Sequence, residues 1–140
     1  VHGQRGSQAS RLNKSGDGQR FNLKKRLRSF VYAGRGVRLM LVTQHNAWLH
    51  MIASAVVVTL GLTFRITSSE WCWVVTAIIA VWTAEALNTA FEFLCDVTSP
   101  EFHPLVERAK DVAAGAVLIA AVGATVVGLL VFGPYLLALL

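Results

Sequence analysis

Charge is scarce in this chain. Asp, Glu, Lys and Arg make up 15% of its 140 residues, against about 25% in ordinary soluble domains. Acidic residues are the rarer kind, with 8 Asp and Glu to 13 Lys and Arg, and only Asp17 precedes Glu70. The shortage argues against a soluble globular domain. Cysteine is limited to Cys72 and Cys95. Both fall near opposite ends of one predicted helix, roughly 35 Å apart, so a bond between them within one chain is excluded and a disulfide framework with it. Their spacing fits no metal motif. No Gly-rich phosphate loop ending in Gly-Lys-Ser/Thr occurs, nor a Gly-x-Gly-x-x-Gly turn, so a nucleotide would have to be held without a P-loop.

Hydrophobic residues are what is abundant, at 54%. The length suits one domain, and the composition points to the membrane class. Ten of the 13 Lys and Arg lie before residue 39, so the net charge of +5 belongs to one end. That end has no interleaved aromatics and leads into apolar segments, which favours an anionic lipid surface over nucleic acid as its partner. Residues 1–26 read as a basic, disordered tail, with little that could bury a core. Residues 27–140 read as the membrane domain. Its first segment, 27–43, has Phe30, Val37 and Leu41 on one helical face and Arg28 and Arg35 nearly opposite, which predicts an amphipathic surface helix.

Three apolar spans follow, at about 47–66, 71–94 and 112–132. Each has the roughly 20 residues needed to cross a hydrocarbon core of about 30 Å. The first is interrupted only by His50 and Arg65. Trp48, Trp71 and Trp73 stand near span ends, where interface anchors belong. A secretory signal is not expected, because the basic region is long and no small-residue cleavage site follows the first span. The basic N-terminal region and the 95–111 loop, which carries Arg108 and Lys110, are expected on the cytoplasmic side. Ala116, Ala120, Ala124 and Gly128, four residues apart, make a small-residue stripe suited to close helix contact. Three spans form a thin bundle, so self-association is expected.

The second span carries the chemistry. Between Ala84 and Asp96 the sequence reads AEALNTAFEFLCD. At about 100° per residue Glu85, Asn88, Glu92 and Asp96 share one helical face. A carboxylate within the bilayer costs on the order of 3 kcal/mol on insertion scales, so such a stripe is expected to serve a function. It runs from lipid depth at Glu85 to the water boundary at Glu92 and Asp96. A poorly solvated carboxylate holds a proton tightly, which makes Glu85 a candidate general base. Glu92 and Asp96, one turn apart, could share magnesium, which would recruit phosphates. A structural hydrogen-bond network, or a proton path in a transporter, would use the same stripe. In the following loop, SPEFHPLVERAKD, Ser99-Pro100 could open a helical turn. Lys110 stands where the chain re-enters the membrane. It suits a phosphate, with Asp111 beside it, and it would equally suit an interface anchor. His103 has no partner legible from spacing.

The runs EALNTAFEFLCD, SPEFHPL and RAKDVAAGAVL, with the earlier TQHNAWLH, resemble the small prokaryotic diacylglycerol kinase and undecaprenol kinase family from about Phe30 to Tyr135. The resemblance implies an all-α integral membrane fold, with three transmembrane helices after a surface helix, assembled as a homotrimer. It implies a bacterial cytoplasmic-membrane enzyme that transfers the γ-phosphate of ATP to a lipid alcohol with Mg2+. By resemblance Glu85 is the base and Asn88 its neighbouring amide, and Glu92 is a metal ligand. Lys110 and Asp111 meet the nucleotide phosphates, and Asp96, Glu101 and His103 surround the nucleotide. Gln44 stands where the family pattern has a glutamate metal ligand; its amide offers an oxygen without charge. The last two blocks look more like the undecaprenol kinase branch, while the acceptor stays open between diacylglycerol and undecaprenol. The alternative reading is a non-catalytic oligomeric membrane protein, either an inactive relative of the kinases or a proton-coupled transporter.

Overall fold

The computed structural model of the chain describes residues 23–139. Most of the basic tail expected over residues 1–26 lies outside the described residues. The elements are four helices: α1 (Leu23–Thr43), α2 (His45–Phe64), α3 (Ser68–Thr98) and α4 (Pro104–Leu137). The chain divides into two compact units at Gly36. The first contributes the leading part of α1, where the Arg35 guanidinium lies 5.8 Å from the centre of the Tyr32 ring. The second, from Val37 on, holds the end of α1 and the three long helices.

α2, α3 and α4 are each long and apolar enough to cross a membrane, as the three hydrophobic runs predict. α3 and α4 continue past those runs, while α2 ends at Phe64. α3 has 31 residues, or roughly 46 Å, and α4 has 34, or roughly 51 Å. Hydropathy marks where a chain leaves lipid, whereas helix ends are set by caps and breakers. Thr67 and Glu70 form a reciprocal capping box that starts α3 at Ser68, several residues ahead of the apolar run. At the other end the expected 95–111 loop shrinks to the linker 99–103. The helical turn expected from Pro100 does not form there. α4 begins instead at Pro104 in its first turn, capped by His103, whose Nδ1 accepts from Leu105 N–H at 3.2 Å. Proline suits that position because its missing N–H is one the helix leaves unpaired anyway.

The turn between α2 and α3 is tight. Arg65 takes the left-handed conformation, with φ 51 and ψ 48, and lets Ile66 N–H reach back to the Gly61 carbonyl at 3.1 Å. Gly61 is required by a close approach, since a Cβ there would lie 2.8 Å from the Trp71 ring. Around this turn Ile66, Val74, Val131 and Phe132 form a buried cluster, with Phe64, Trp71 and Tyr135 packed against it. Most other large apolar side chains face outward, among them Leu62, Ile79, Ile119 and Leu130. Such surfaces suit hydrocarbon or another membrane helix rather than water. Cys72 and Cys95 lie on α3 and are both free thiols.

Candidate active site

The second cluster of buried residues is polar. Glu85 and, one turn on along α3, Asn88 and Thr89 are 0%, 4% and 4% exposed. Thr89 Oγ1 donates to the Glu85 carbonyl at 2.9 Å, so its burial leaves no hydroxyl unpaired. Glu85 differs. Both of its carboxylate oxygens are buried and accept no hydrogen bond, and the same holds for Asn88 Oδ1. The group facing it from α2 is His50, whose Nε2 lies 3.7 Å from Glu85 Oε2 and is itself buried without a hydrogen-bond partner.

One to two turns further along α3, Glu92 is fully engaged. Its Oε1 accepts from Asn88 Nδ2 at 3.0 Å and its Oε2 from Gln44 Nε2 at 2.8 Å. Gln44 reaches Glu92 because the chain breaks there between α1 and α2. The residue is extended, with φ −106 and ψ 116, and its side chain does not cap α2, which leaves the amide free to turn toward α3. Asp96 lies one turn beyond Glu92, and its Oδ1 accepts from Lys110 Nζ at 2.5 Å, joining α3 to the start of α4. A recess of about 510 Å³ opens here between the end of α3, the linker and α4. Asp96, Glu101, His103, Lys110 and Asp111 all line it.

The residues predicted from sequence thus fall into two neighbouring groups, built from α3, the break at Gln44, the 99–103 linker and the start of α4. Glu85, Asn88, Glu92 and Gln44 form the deeper group; Asp96, Glu101, His103, Lys110 and Asp111 surround the recess. His103 also serves as the α4 cap, a partner its spacing did not show. His50 is the residue that spacing within α3 could not supply, because it lies on a different helix. Its one legible signal is that it is a polar side chain in an otherwise apolar run.

A cluster of three or more His, Cys, Asp or Glu side chains arranged to hold a metal does not occur among the described residues. A magnesium ion needs less than that from protein, since it keeps several waters and usually takes one or two carboxylates together with substrate phosphates. Glu92 and Asp96, on adjacent turns, meet that requirement in donor chemistry. A half-turn of the Gln44 amide would add a neutral oxygen beside Glu92.

Comparison with known proteins shows the family. Residues 31–132 match the family described as prokaryotic diacylglycerol kinase, and the chain belongs to that family. It is a membrane lipid kinase, and the family's reaction is ATP-dependent phosphoryl transfer. Over 117 residues it is 38% identical to an undecaprenol kinase of Bacillus subtilis, covering 84% of this chain and 95% of that one. It is 36% identical over 113 residues to a diacylglycerol kinase of Synechocystis, covering 80% of this chain and 65% of the other. A diacylglycerol kinase of Helicobacter pylori is 34% identical over 100 residues.

Proposed function

We propose that this chain transfers the γ-phosphate of ATP to the hydroxyl of a membrane lipid alcohol, with Glu85 as the base. The observation that carries the assignment is the bare carboxylate of Glu85, buried in a membrane-spanning helix with neither oxygen hydrogen-bonded. A buried polar group without a partner is costly, and a substrate hydroxyl would supply the missing donor. The acceptor O–H proton passes to Glu85 as the hydroxyl oxygen bonds to the γ-phosphorus. The bond from that phosphorus to the β,γ-bridging oxygen breaks, and ADP leaves with the electron pair. Asn88 holds Glu92 in place from one side and Gln44 from the other. The polyphosphate lies in the recess, where Lys110 is its cation and Asp111, Asp96, Glu101 and His103 surround it.

Four carboxylates, Asp96, Glu101, Glu107 and Asp111, line that recess with Lys110. A polyphosphate entering it meets like charge unless a hard cation comes too. This supports Mg2+, held by Glu92 and Asp96 with Gln44 as a neutral donor; when bound, it neutralises charge that develops on the transferring phosphoryl group. The recess end is assigned to the cytoplasmic side of the bacterial cytoplasmic membrane, where ATP is found and where the basic N-terminal region is best placed against anionic lipid. Only 11% of the α2 window, 28% of that in α3 and 17% of that in α4 is buried within one chain. That leaves helix faces free for self-association, and the assembly proposed is a homotrimer with its sites at subunit contacts.

Undecaprenol is the preferred acceptor in this proposal, because the relative of that name is matched over nearly its whole length. ATP consumption by the protein in nanodiscs, with undecaprenol and diacylglycerol side by side, tests the assignment. Turnover that depends on the added lipid, and is higher with undecaprenol, is the expected result. Higher turnover with diacylglycerol reverses the acceptor, and no lipid-dependent turnover with either overturns the activity.

A further inference from the structure

His50 takes no part in the scheme above, although its Nε2 lies 3.7 Å from the carboxylate of the proposed base. Its position is fixed from both sides. Ala47, three residues earlier on α2, is 0% exposed. Ser54, four residues later, accepts from Trp82 Nε1 of α3 at 3.1 Å. Trp82 precedes Glu85 by three residues, so the Ser54–Trp82 bond sets the register that brings His50 against Glu85. The approach is specific to one oxygen. Nε2 lies 3.7 Å from Oε2, slightly beyond hydrogen-bond length, and both atoms are buried without another partner. Hydrogen bonds at catalytic groups are often long in the free enzyme and tighten when the substrate is bound. An imidazole with Nε2 protonated is a donor, and a carboxylate is an acceptor. The pairing resolves two of the four unpaired buried atoms in the site at once.

We infer that His50 is a positioning residue for the lipid kinase reaction, donating from Nε2–H to Glu85 Oε2 so that Oε1 faces the acceptor hydroxyl. The inference rests on the assignment of Glu85 as base. A carboxylate without this tether could rotate about its side-chain torsions, and a misplacement of about 1 Å can cost on the order of 100-fold in rate. No other described donor reaches either Glu85 oxygen, so α2 is the source of orientation for the deep end of the site. The tether acts after ATP and lipid are bound and does not touch the recess, so it should appear in kcat rather than in the KM for ATP.

The test compares His50→Leu and His50→Gln, each in wild-type and Glu85→Gln backgrounds, in nanodiscs with saturating lipid alcohol. Leu removes the donor and keeps an apolar side chain; Gln keeps an N–H donor of similar reach. His50→Leu is expected to lower kcat by about 10–100-fold with the KM for ATP within about twofold of wild type, and His50→Gln should recover most of that loss. In the Glu85→Gln background the further change to Leu should lower kcat by less than about twofold, since residues acting through one another are not additive. A His50→Leu enzyme with wild-type kcat overturns the inference. So does an equal loss in Leu and Gln variants, or a loss of the same size in both backgrounds, because either outcome marks His50 as packing only. If His50→Leu does not fold, His50→Ala takes its place as the variant without a donor and is read against His50→Gln by the same outcomes. Should Glu85→Gln itself retain wild-type turnover, the base assignment fails, and the His50 variants in the wild-type background report that separately.

Discussion

The two ends of the helical bundle are built to opposite rules. Among the described residues, no buried side-chain polar atom near the α2–α3 turn lacks a partner. Glu70 Oε2 accepts from Thr67 N–H at 2.7 Å, from Thr67 Oγ1 at 2.8 Å and from Tyr135 Oη at 2.9 Å. The Tyr135 ring stacks on Phe64, with centroids 5.6 Å apart, over the apolar cluster of Ile66, Val74, Val131 and Phe132. At the other end, apolar packing gives way to carboxylates and amides, and four buried polar atoms lack partners. A structure that can satisfy its polar groups in one place and leaves them bare in another is holding capacity for a ligand there. The turn end is packed for stability, and the polar end is where the chemistry is proposed.

Substitutions at each end can break that contrast. The largest effect is expected for Glu85→Gln. The amide is nearly isosteric and easier to insert into lipid, so the protein should fold, while kcat falls by about 10²–10⁴-fold. A variant that keeps more than about half of wild-type turnover would make the buried carboxylate structural and erase the distinction between the two ends. Next come the metal-side changes. Gln44→Glu puts a second carboxylate beside Glu92, and should lower the magnesium concentration for half-maximal activity; Glu92→Gln should raise it sharply. An unmoved magnesium curve for Gln44→Glu would place residue 44 outside the metal's reach. A wild type inactive at every magnesium concentration, with turnover restored by Gln44→Glu, would mark this chain as a disabled relative.

At the turn end the readout is stability. Gly61→Ala drives a methyl group into the Trp71 ring, and should lower stability by about 1–3 kcal/mol in thermal unfolding in detergent, with kcat preserved in the folded fraction. The smallest effect is expected for Tyr135→Phe. Glu70 keeps its two bonds from Thr67, so the melting temperature should drop less than for Gly61→Ala, and turnover should not change. A large loss of kcat in Tyr135→Phe would show the two ends to be coupled.

The sequence showed the site stripe more clearly than the helix ends. Glu85, Asn88, Glu92 and Asp96 were legible because a charge in lipid is expensive and helical periodicity assigns such residues to one face. Lys110 was placed at the boundary by the start of the third apolar run, whereas its bond to Asp96 rather than Asp111 was not legible from spacing. The extension of α4 back to Pro104 was less visible, since Pro100 and Pro104 carry similar start signals and only the His103 cap decides between them. Gln44 could be singled out by resemblance, but its bond to Glu92 depends on a break between α1 and α2. His50 had least to announce it. Pairing across helices depends on their register, which here is set by contacts such as Ser54–Trp82 and does not appear in the periodicity of either helix.

α3 is unbroken from Ser68 to Thr98, and this has a mechanical consequence. Glu85 and Asp96 are mounted on one rigid rod, about 16 Å apart along its axis. The rod is therefore a gauge: it fixes the spacing between the carboxylate proposed as base and the recess proposed for the polyphosphate, and tilting carries both ends together. Inserting one residue between Glu85 and Glu92 would lengthen that gauge by only about 1.5 Å but would turn one group by about 100° relative to the other. Angular phase, more than reach, is the dimension this helix holds constant.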